Sequence, residues 1–201
     1  LYERENKSIF KTTERKNRRT ACEGALRKIP KFIEKKGIVI NMKVKITGTG
    51  SYLPKLRITN EDLSQIVDTS DEWIRSRTGI EARHLCVSET TTGMSTEASL
   101  KALKSAGITA EDVDIIIAAT VSADKHLPGL ACEVQKNLGA GKAVAFDINA
   151  ACSGFLFALD TAAIYLEHNR WKHALIIGAE TLSKMMDWTD RSTCVLFGDG
   201  A

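Results

Sequence analysis

The stretch Val113-Asp-Ile-Ile-Ile-Ala-Ala-Thr120 is a nearly continuous run of β-branched and small apolar residues. A run of this kind is typical of a strand that is buried on both faces, as in a parallel sheet. A strand of that type needs helices on both sides of its sheet. We therefore predict an α/β fold built around this strand.

Helical and extended patterns alternate on either side of the central run. Downstream, they predict a helix around Leu130 to Leu138, a strand from Ala143 to Ile148, a helix from Ser153 to Leu166, a strand from Ala174 to Gly178 and a short strand near Cys194 to Phe197. Upstream, they predict a strand over Lys43 to Gly50, a helix capped by Asn60, a helix capped by Ser70 that ends near Gly79, and a helix over about Met94 to Ala106. The alternation favours a layered α/β fold.

The helix predicted after Ser153 has almost no polar face over its first three turns. Such a helix must be surrounded by protein on nearly every side, whereas one sheet covers only one side. The sequence ends at Ala201, soon after the last predicted strand. We therefore expect residues 42–201 to be the front part of a larger protein, with the rest of that protein covering the helix.

Composition is that of a globular protein that can bury a core, with 43% hydrophobic and 26% charged residues. The longest apolar stretch, Ile115 to Val121, is too short to cross a bilayer of about 30 Å. The cysteines are odd in number, scattered and without a C-x-x-C pair, which argues against a disulfide framework or a zinc ribbon and favours a cytoplasmic location. These five cysteines are Cys22, Cys86, Cys132, Cys152 and Cys194.

Basic charge is concentrated in residues 1–41, which carry 12 Lys and Arg against 5 Glu, while the remaining residues carry 16 against 20 Asp and Glu. The run Arg15-Lys-Asn-Arg-Arg19 could bind nucleic acid or an acidic partner. The segment lacks the apolar region of a secretory signal. We interpret residues 1–41 as a basic extension outside the fold and residues 42–201 as the folded domain, and we expect neither nucleic acid nor a membrane as a partner.

Two site types are excluded on spacing. Gly48-Thr-Gly50 follows a predicted strand, but the third small residue of a dinucleotide-binding loop would fall at Leu53, directly before Pro54. His84 and Cys86 have no second ligand pair at metal-binding spacing, and the other histidines are isolated. We therefore predict no metal and no dinucleotide cofactor.

Cys152 differs from the other cysteines because it lies where a buried strand gives way to an apolar helix, in Phe146-Asp-Ile-Asn-Ala-Ala-Cys-Ser-Gly-Phe155. A helix N-terminus favours the thiolate, and the small neighbours leave room for a substrate carbonyl. The thiolate would be a nucleophile suited to acyl transfer. Because cysteine is also a common small core residue, the residues alone leave a structural role equally open.

Several segments together resemble one family. They are Ile46 to Pro54, Asp68 to Ile80, Phe146 to Phe155 and Asp190 to Ala201. From Met42 onward the sequence resembles β-ketoacyl-acyl-carrier-protein synthase III, the initiating condensing enzyme of bacterial type II fatty-acid synthesis, in the thiolase superfamily. The resemblance implies the N-terminal half of a duplicated, thiolase-like α/β sandwich, active as a homodimer.

The resemblance also implies a reaction in two stages. Cys152 would take a short acyl group, such as acetyl, from acyl-CoA. The carbanion left when malonyl-acyl-carrier-protein loses CO2 would then attack the resulting thioester. Acyl-CoA is a substrate in this scheme, and no cofactor is needed.

Substrate-binding positions follow from the same resemblance. Trp73 and Arg191 match residues that hold the CoA adenine between them, and indole and guanidinium faces suit that role. Thr69 and Arg77 match further nucleotide contacts. The acyl pocket would include positions matching Leu127, Leu182 and Phe197, and Leu127 often reaches across the dimer interface in this family.

One part of the family pattern has no match in the sequence. The histidine and asparagine that stabilise the enolate in this family are expected beyond Ala201, as is the second backbone donor of the oxyanion hole. Two alternatives therefore stay open: a related acyltransferase with a different primer or acceptor, and a catalytically silent fragment.

Overall fold

The centre of the molecule is a parallel three-stranded sheet. A computed structural model describes residues 44–168 and 171–201. The strands are β3 (Ile115–Ala119), β4 (Val144–Ile148) and β5 (Ala174–Gly178), in the order β4-β3-β5. Ile115 pairs with Val144 on one side and with Ala174 on the other, and all five residues of β3 are buried. The prediction of a central buried strand is confirmed.

Helices cover both faces of this sheet. Alternate residues of β3 point to opposite layers, as the pleat requires. Ile116 and Ala118 pack with residues of α3 (Thr91–Ala106) and α4 (Leu130–Leu138), whereas Ile115 and Ile117 pack against α5 (Gly154–His168). The result is the α/β layering that the sequence predicts.

In the described chain, three short helices and two small antiparallel sheets lie outside the central sheet and the helices that cover it. The strands β1 (Leu56–Thr59) and β2 (Ala82–Leu85) pair with each other, as do β6 (Glu180–Thr181) and β7 (Asp199–Gly200). The helices α1 (Asn60–Ser64), α2 (Asp71–Thr78) and α6 (Arg191–Cys194) lie around a separate apolar cluster of four buried residues. These four are Leu63, Ile74, Cys194 and Val195.

The N-cap predicted from the sequence is observed for α2 but not for α1. Ser70 caps α2 by accepting a hydrogen bond from the N–H of Trp73, and the helix ends at Gly79 with φ 73°, where glycine avoids the strain of the left-handed region. The prediction that Asn60 caps α1 is wrong, because the hydroxyl of Thr59 accepts from the N–H of Asp62 instead. Asn60 is the first helical residue and is fully buried.

The predicted strand over Lys43 to Gly50 does not form in the part that the structure describes, residues 44–50. Gly48 and Gly50 press against the backbone of α3, where a Cβ on Gly50 would lie 2.2 Å from the carbonyl oxygen of Ala98. This close contact with a helix replaces pairing with a sheet edge, and it explains the two glycines.

The strand predicted near Cys194 to Phe197 is also wrong. Residues up to Cys194 form the short helix α6, and the strand that follows, β7, begins only at Asp199. The carboxylate of Asp190 accepts hydrogen bonds from the N–H and the hydroxyl of Ser192. This capping favours a helical turn and outweighs the β propensity of the apolar residues after it.

Much of the apolar surface of α5 is uncovered within the described residues. Only Gly154, Ala158, Ala162 and Ala163 of this helix are buried. Exposed fractions are 65% for Leu156 and 56% for Phe157. In the described ranges, no helix is both long and apolar enough to span a membrane.

Candidate active site

Cys152 lies in a 3₁₀ turn, Ala151–Ser153, between the end of β4 and the start of α5. This is the carboxyl end of the parallel sheet, where α/β folds commonly place their sites. Cys152 is exposed, and its Sγ makes no hydrogen bond to any residue that the structure describes. The thiol is therefore uncovered by the residues that the structure describes, and the strand-to-helix position predicted for it is observed.

The backbone immediately before Cys152 is strained. Ala151 has φ 45°, in the left-handed region that non-glycine residues seldom adopt. The cost of this conformation is about 1–2 kcal/mol. It makes the change of direction from β4 into α5 abrupt, so that Cys152 is held on a tight turn. The sequence does not predict this conformation, since alanine has no preference for the left-handed region.

Gly154, the first residue of α5, brings the helix close to the sheet. A Cβ at this position would lie 3.1 Å from the Cβ of Ala119, the last residue of β3. The small pair Gly154 and Ala119 therefore sets the distance between the Cys152 turn and the end of the central strand. A larger residue at either position would push the turn away from the sheet.

The other described cysteines are in different environments. Burial and the nearby carboxylate of Asp199 raise the pKa of the Cys86 thiol to about 12. Burial likewise raises the pKa of Cys194, which is fully enclosed. Cys132 is half-buried, with its Sγ 3.6 Å from the carbonyl oxygen of Ala145. Cys152 is thus the exposed thiol among these four, while Cys22 lies outside the described residues.

Three of the four residues expected to bind the nucleotide come together. Trp73 and Arg77 lie on α2, and Arg191 begins α6. The guanidinium carbon of Arg77 is 4.4 Å from the centre of the Trp73 ring, and that of Arg191 is 5.0 Å from it. Both are cation–π contacts. The two guanidinium groups can attract phosphate, but a base can stack between Trp73 and Arg191 only if these side chains move apart, because they are in direct contact.

Arg191 is held in place by the segment just before α2. Arg191 donates a hydrogen bond of 2.9 Å to the carbonyl oxygen of Asp68, and its guanidinium is 3.6 Å from the Asp68 carboxylate. The neighbouring Thr69 is half-buried, and its hydroxyl oxygen is buried without a hydrogen-bond partner in the described structure. This hydroxyl is therefore unsatisfied within the described residues.

The three residues expected to line the acyl pocket lie on separate parts of the chain. Leu127 is in the loop before α4 and is 86% exposed. Leu182 is half-buried in a 3₁₀ turn, Leu182–Lys184, and Phe197 is exposed after α6. In the described structure no hydrogen bond or ring contact joins any of them to Cys152. Their grouping into one pocket stays a prediction.

A residue of the central sheet holds the start of α4, which directly follows the loop that carries Leu127. The carboxylate of Asp147, on β4, accepts hydrogen bonds of 2.7 Å from the N–H groups of Leu130 and Ala131 at the start of α4. A carboxylate at a helix N-terminus is stabilised by the helix dipole. Asp147 thus acts as the cap that Gly129 cannot provide. Sequence reasoning missed this residue, because the cap comes from a distant strand.

In the described ranges, no three His, Cys, Asp or Glu side chains are grouped so as to hold a metal ion. His84 has its Nδ1 2.7 Å from the carbonyl oxygen of Pro54, and His173 has its Nδ1 3.1 Å from that of Asp112. These two histidines therefore have structural partners.

Comparison with known proteins identifies the family. Residues 146–201 match the family model described as 3-oxoacyl-[acyl-carrier-protein] synthase III. A β-ketoacyl-[acyl-carrier-protein] synthase III of Clostridium acetobutylicum is 53% identical over 158 residues, which is 79% of this chain and 49% of that protein. The chain belongs to the β-ketoacyl-[acyl-carrier-protein] synthase III family. A synthase III of Streptococcus pneumoniae is 54% identical over 78% of this chain and 48% of its own length.

Solved structures of synthase III relatives have the same fold. The synthase III of Aquifex aeolicus superposes with a TM-score of 0.76 at 54% identity, over 78% of this chain and 51% of that one. The priming β-ketosynthase of the R1128 polyketide pathway gives a TM-score of 0.76 at 36% identity, over 78% of this chain and 47% of that one. The expected thiolase-like α/β fold is confirmed. The chain spans about half the length of the curated synthase III relatives that it matches.

Proposed function

We propose that the enzyme containing these residues transfers a short acyl group, acetyl in the simplest case, from acyl-CoA to Cys152. The enzyme then joins this group to malonyl-acyl-carrier-protein with loss of CO2, giving a 3-oxoacyl-acyl-carrier-protein that starts fatty-acid synthesis. The observation that carries the proposal is the exposed Cys152 thiol on its strained turn at the end of β4. Membership of the synthase III family supports the choice of substrates.

In the first step, the Cys152 thiolate attacks the thioester carbonyl of acyl-CoA. A new carbon–sulfur bond forms, the bond to the CoA sulfur breaks, and CoA leaves as a thiolate that takes up a proton. Cys152 lies in the turn just before α5, so the new thioester forms at the N-terminal end of that helix. In the second step, the carbanion formed as malonyl-acyl-carrier-protein loses CO2 attacks the acyl carbon and releases the Cys152 thiolate.

Binding roles follow from the same proposal. Trp73, Arg77, Arg191 and Thr69 bind the nucleotide of CoA, and the contacts of the two guanidinium groups with the Trp73 ring support this role. The acyl pocket includes Leu127, Leu182 and Phe197. The high exposure of Leu127 suits a residue that reaches a second copy in a homodimer.

The remaining assignments concern the setting of the enzyme. We infer that it acts in the cytoplasm, where the scattered free cysteines stay reduced. Residues 1–41 form an extension outside the condensing-enzyme domain, which covers residues 42–201.

Acetylation of Cys152 is the direct test. The full-length enzyme is mixed with acetyl-CoA, and the modified peptide is mapped by mass spectrometry. We expect one acetyl group on Cys152, none on the Cys152→Ala variant, and unchanged acetylation of the matched control Cys132→Ala. Adding malonyl-acyl-carrier-protein should move the acetyl group into a 3-oxobutanoyl product.

Two results would contradict this proposal. One is an acetyl group on Cys86, Cys132 or Cys194 that persists in the Cys152→Ala variant. The other is an acetylated Cys152 that malonyl-acyl-carrier-protein leaves unchanged, which would favour a different acceptor.

A further inference from the structure

Two buried polar side chains, Asn60 and Arg83, lie between the helices that carry the candidate nucleotide-binding residues. Asn60 is fully buried and Arg83 is 5% exposed. We propose that they are positioning residues, which hold α2 with Trp73 and Arg77 at a fixed distance from α6 with Arg191. The inference rests on the proposed function, since it concerns the same CoA site.

Asn60 fixes both ends of α2. Its Nδ2 donates a hydrogen bond of 2.7 Å to the carboxylate of Asp71, the first residue of the helix. The same Nδ2 donates a bond of 2.8 Å to the carbonyl oxygen of Ile80, just after the helix ends. One side-chain amide thereby contacts the chain at both ends of α2.

Arg83 links Asn60 to the end of α6. Its Nη2 donates a hydrogen bond of 2.9 Å to Oδ1 of Asn60 and one of 3.2 Å to the carbonyl oxygen of Val195. Val195 directly follows Cys194, the last residue of α6. The chain of contacts therefore runs from α2 through Asn60 and Arg83 to α6, with one guanidinium group bridging two elements that are far apart in sequence.

The charge of Arg83 has no ion-pair partner within the described residues. Burial lowers its pKa below the ordinary value, which means that the protonated form is destabilised here. Its Nε is also without a hydrogen-bond partner in that part of the chain. A buried cation of this kind lowers the stability of the fold. An apolar side chain of similar volume would pack here at a lower cost in free energy, so packing alone does not account for Arg83.

The link sets how far Arg191 can lie from the Trp73 ring, and a base stacked between the two groups needs more room than their present direct contact leaves. The two guanidinium carbons lie 4.4 and 5.0 Å from the centre of the Trp73 ring, so a small shift between α2 and α6 changes how the ring and Arg191 face each other. Displacements of about 1 Å at a binding site can reduce rates by up to about 100-fold. The link therefore affects binding of the nucleotide, while Cys152 lies on a different element.

The test compares two acetyl donors on the full-length enzyme. Acetyl-CoA carries the nucleotide and acetyl-pantetheine does not, while both present the same thioester to Cys152. For Asn60→Ala we expect the KM for acetyl-CoA to rise about 10-fold with little change in kcat. Acetylation by acetyl-pantetheine should stay at the wild-type rate. A merely structural role would slow both donors together.

Two further variants make the test decisive. Arg83→Lys keeps a buried cation, but the lysine side chain is shorter and does not bring its nitrogen to the position of Nη2, which bonds both Asn60 and Val195, so the same split is expected. If either Asn60→Ala or Arg83→Lys fails to fold, the other of these two variants decides. Ser99→Ala is the matched control, because Ser99 is 2% exposed and its hydroxyl donates to the carbonyl oxygen of Ser95 in its own helix.

Equal slowing with both donors, or no change with either, would overturn the positioning role while leaving the proposed function intact. Failure of the wild-type enzyme to accept an acetyl group from either donor would overturn the proposed function, and this inference with it.

Discussion

At the scale of single residues, the conformation of Ala151 affects the placement of Cys152 most directly. Its φ of 45° is strained for alanine and is relaxed for glycine. Replacing it therefore changes stability and the placement of Cys152 in different ways.

We expect Ala151→Gly to leave the free energy of unfolding unchanged or raise it by up to about 1 kcal/mol, because the strain is removed while the unfolded chain gains freedom. Ala151→Val should lower it by at least about 1–2 kcal/mol, since a β-branched side chain tolerates this backbone poorly. Urea unfolding measures both changes. Equal stability of the two variants would show that the turn is not strained.

The sequence predicted where Cys152 lies but not how its backbone is held. A strand pattern ending at Ile148 and a helical pattern from Ser153 place the cysteine at a junction, and the structure has that junction. The strain at Ala151 and the cap from Asp147 depend on contacts between elements. Local sequence patterns carry no information about such contacts.

At the scale of elements, the turn before α3 depends on one carboxylate. Glu89 accepts hydrogen bonds from the N–H groups of Val87 and Lys55, at 3.0 and 3.3 Å. Its own backbone N–H, followed by those of Val87 and Lys55, lowers the pKa of Glu89 from 4.5 to about 2. The ionised carboxylate therefore stabilises the folded chain.

We expect Glu89→Gln to lower the free energy of unfolding at pH 7. Because the pKa of Glu89 is lower in the folded state, the wild-type advantage is complete above pH 4.5 and is lost as the pH falls toward 2. Urea unfolding of both proteins at pH 7 and near pH 3 measures the difference. A difference that is the same at both pH values would exclude this role.

Longer elements were easier to predict than short ones. Strands β3, β4 and β5 and helices α4 and α5 were predicted from hydrophobic periodicity, which reports burial directly. Strands β6 and β7 have two residues each and were missed, because they form only through pairing between distant parts of the chain. The strand predicted over Lys43 to Gly50 is absent from residues 44–50 for a related reason. Gly48 and Gly50 pack against α3, and local sequence does not show a contact between distant parts of the chain.

At the scale of the whole molecule, α5 determines how this chain behaves when it is produced alone. Phe155, Leu156, Phe157 and Ile164 are between 47% and 65% exposed, so one helix presents a large apolar surface. Surfaces of this kind on an isolated chain promote association.

We expect the 201-residue chain to self-associate and to bind a hydrophobic dye. Leu156→Lys should weaken dye binding and raise the monomer fraction, because it places a charge in the apolar surface. Leu100→Lys is a matched control on α3, since Leu100 is also exposed, at 48%. Size-exclusion chromatography and dye fluorescence report the outcome. A monodisperse chain that binds no dye would contradict the expectation.

The apolar cluster beneath α2 and α6 is separate from the two clusters that hold the central sheet and α5. Substitutions in regions without shared contacts have nearly additive effects. Under the proposed function, residues around Trp73 and Arg191 can therefore change during evolution, and the preferred carrier of the acyl group with them, without altering the turn that presents Cys152. A lineage could adopt a different acyl carrier while inheriting the Cys152 turn intact.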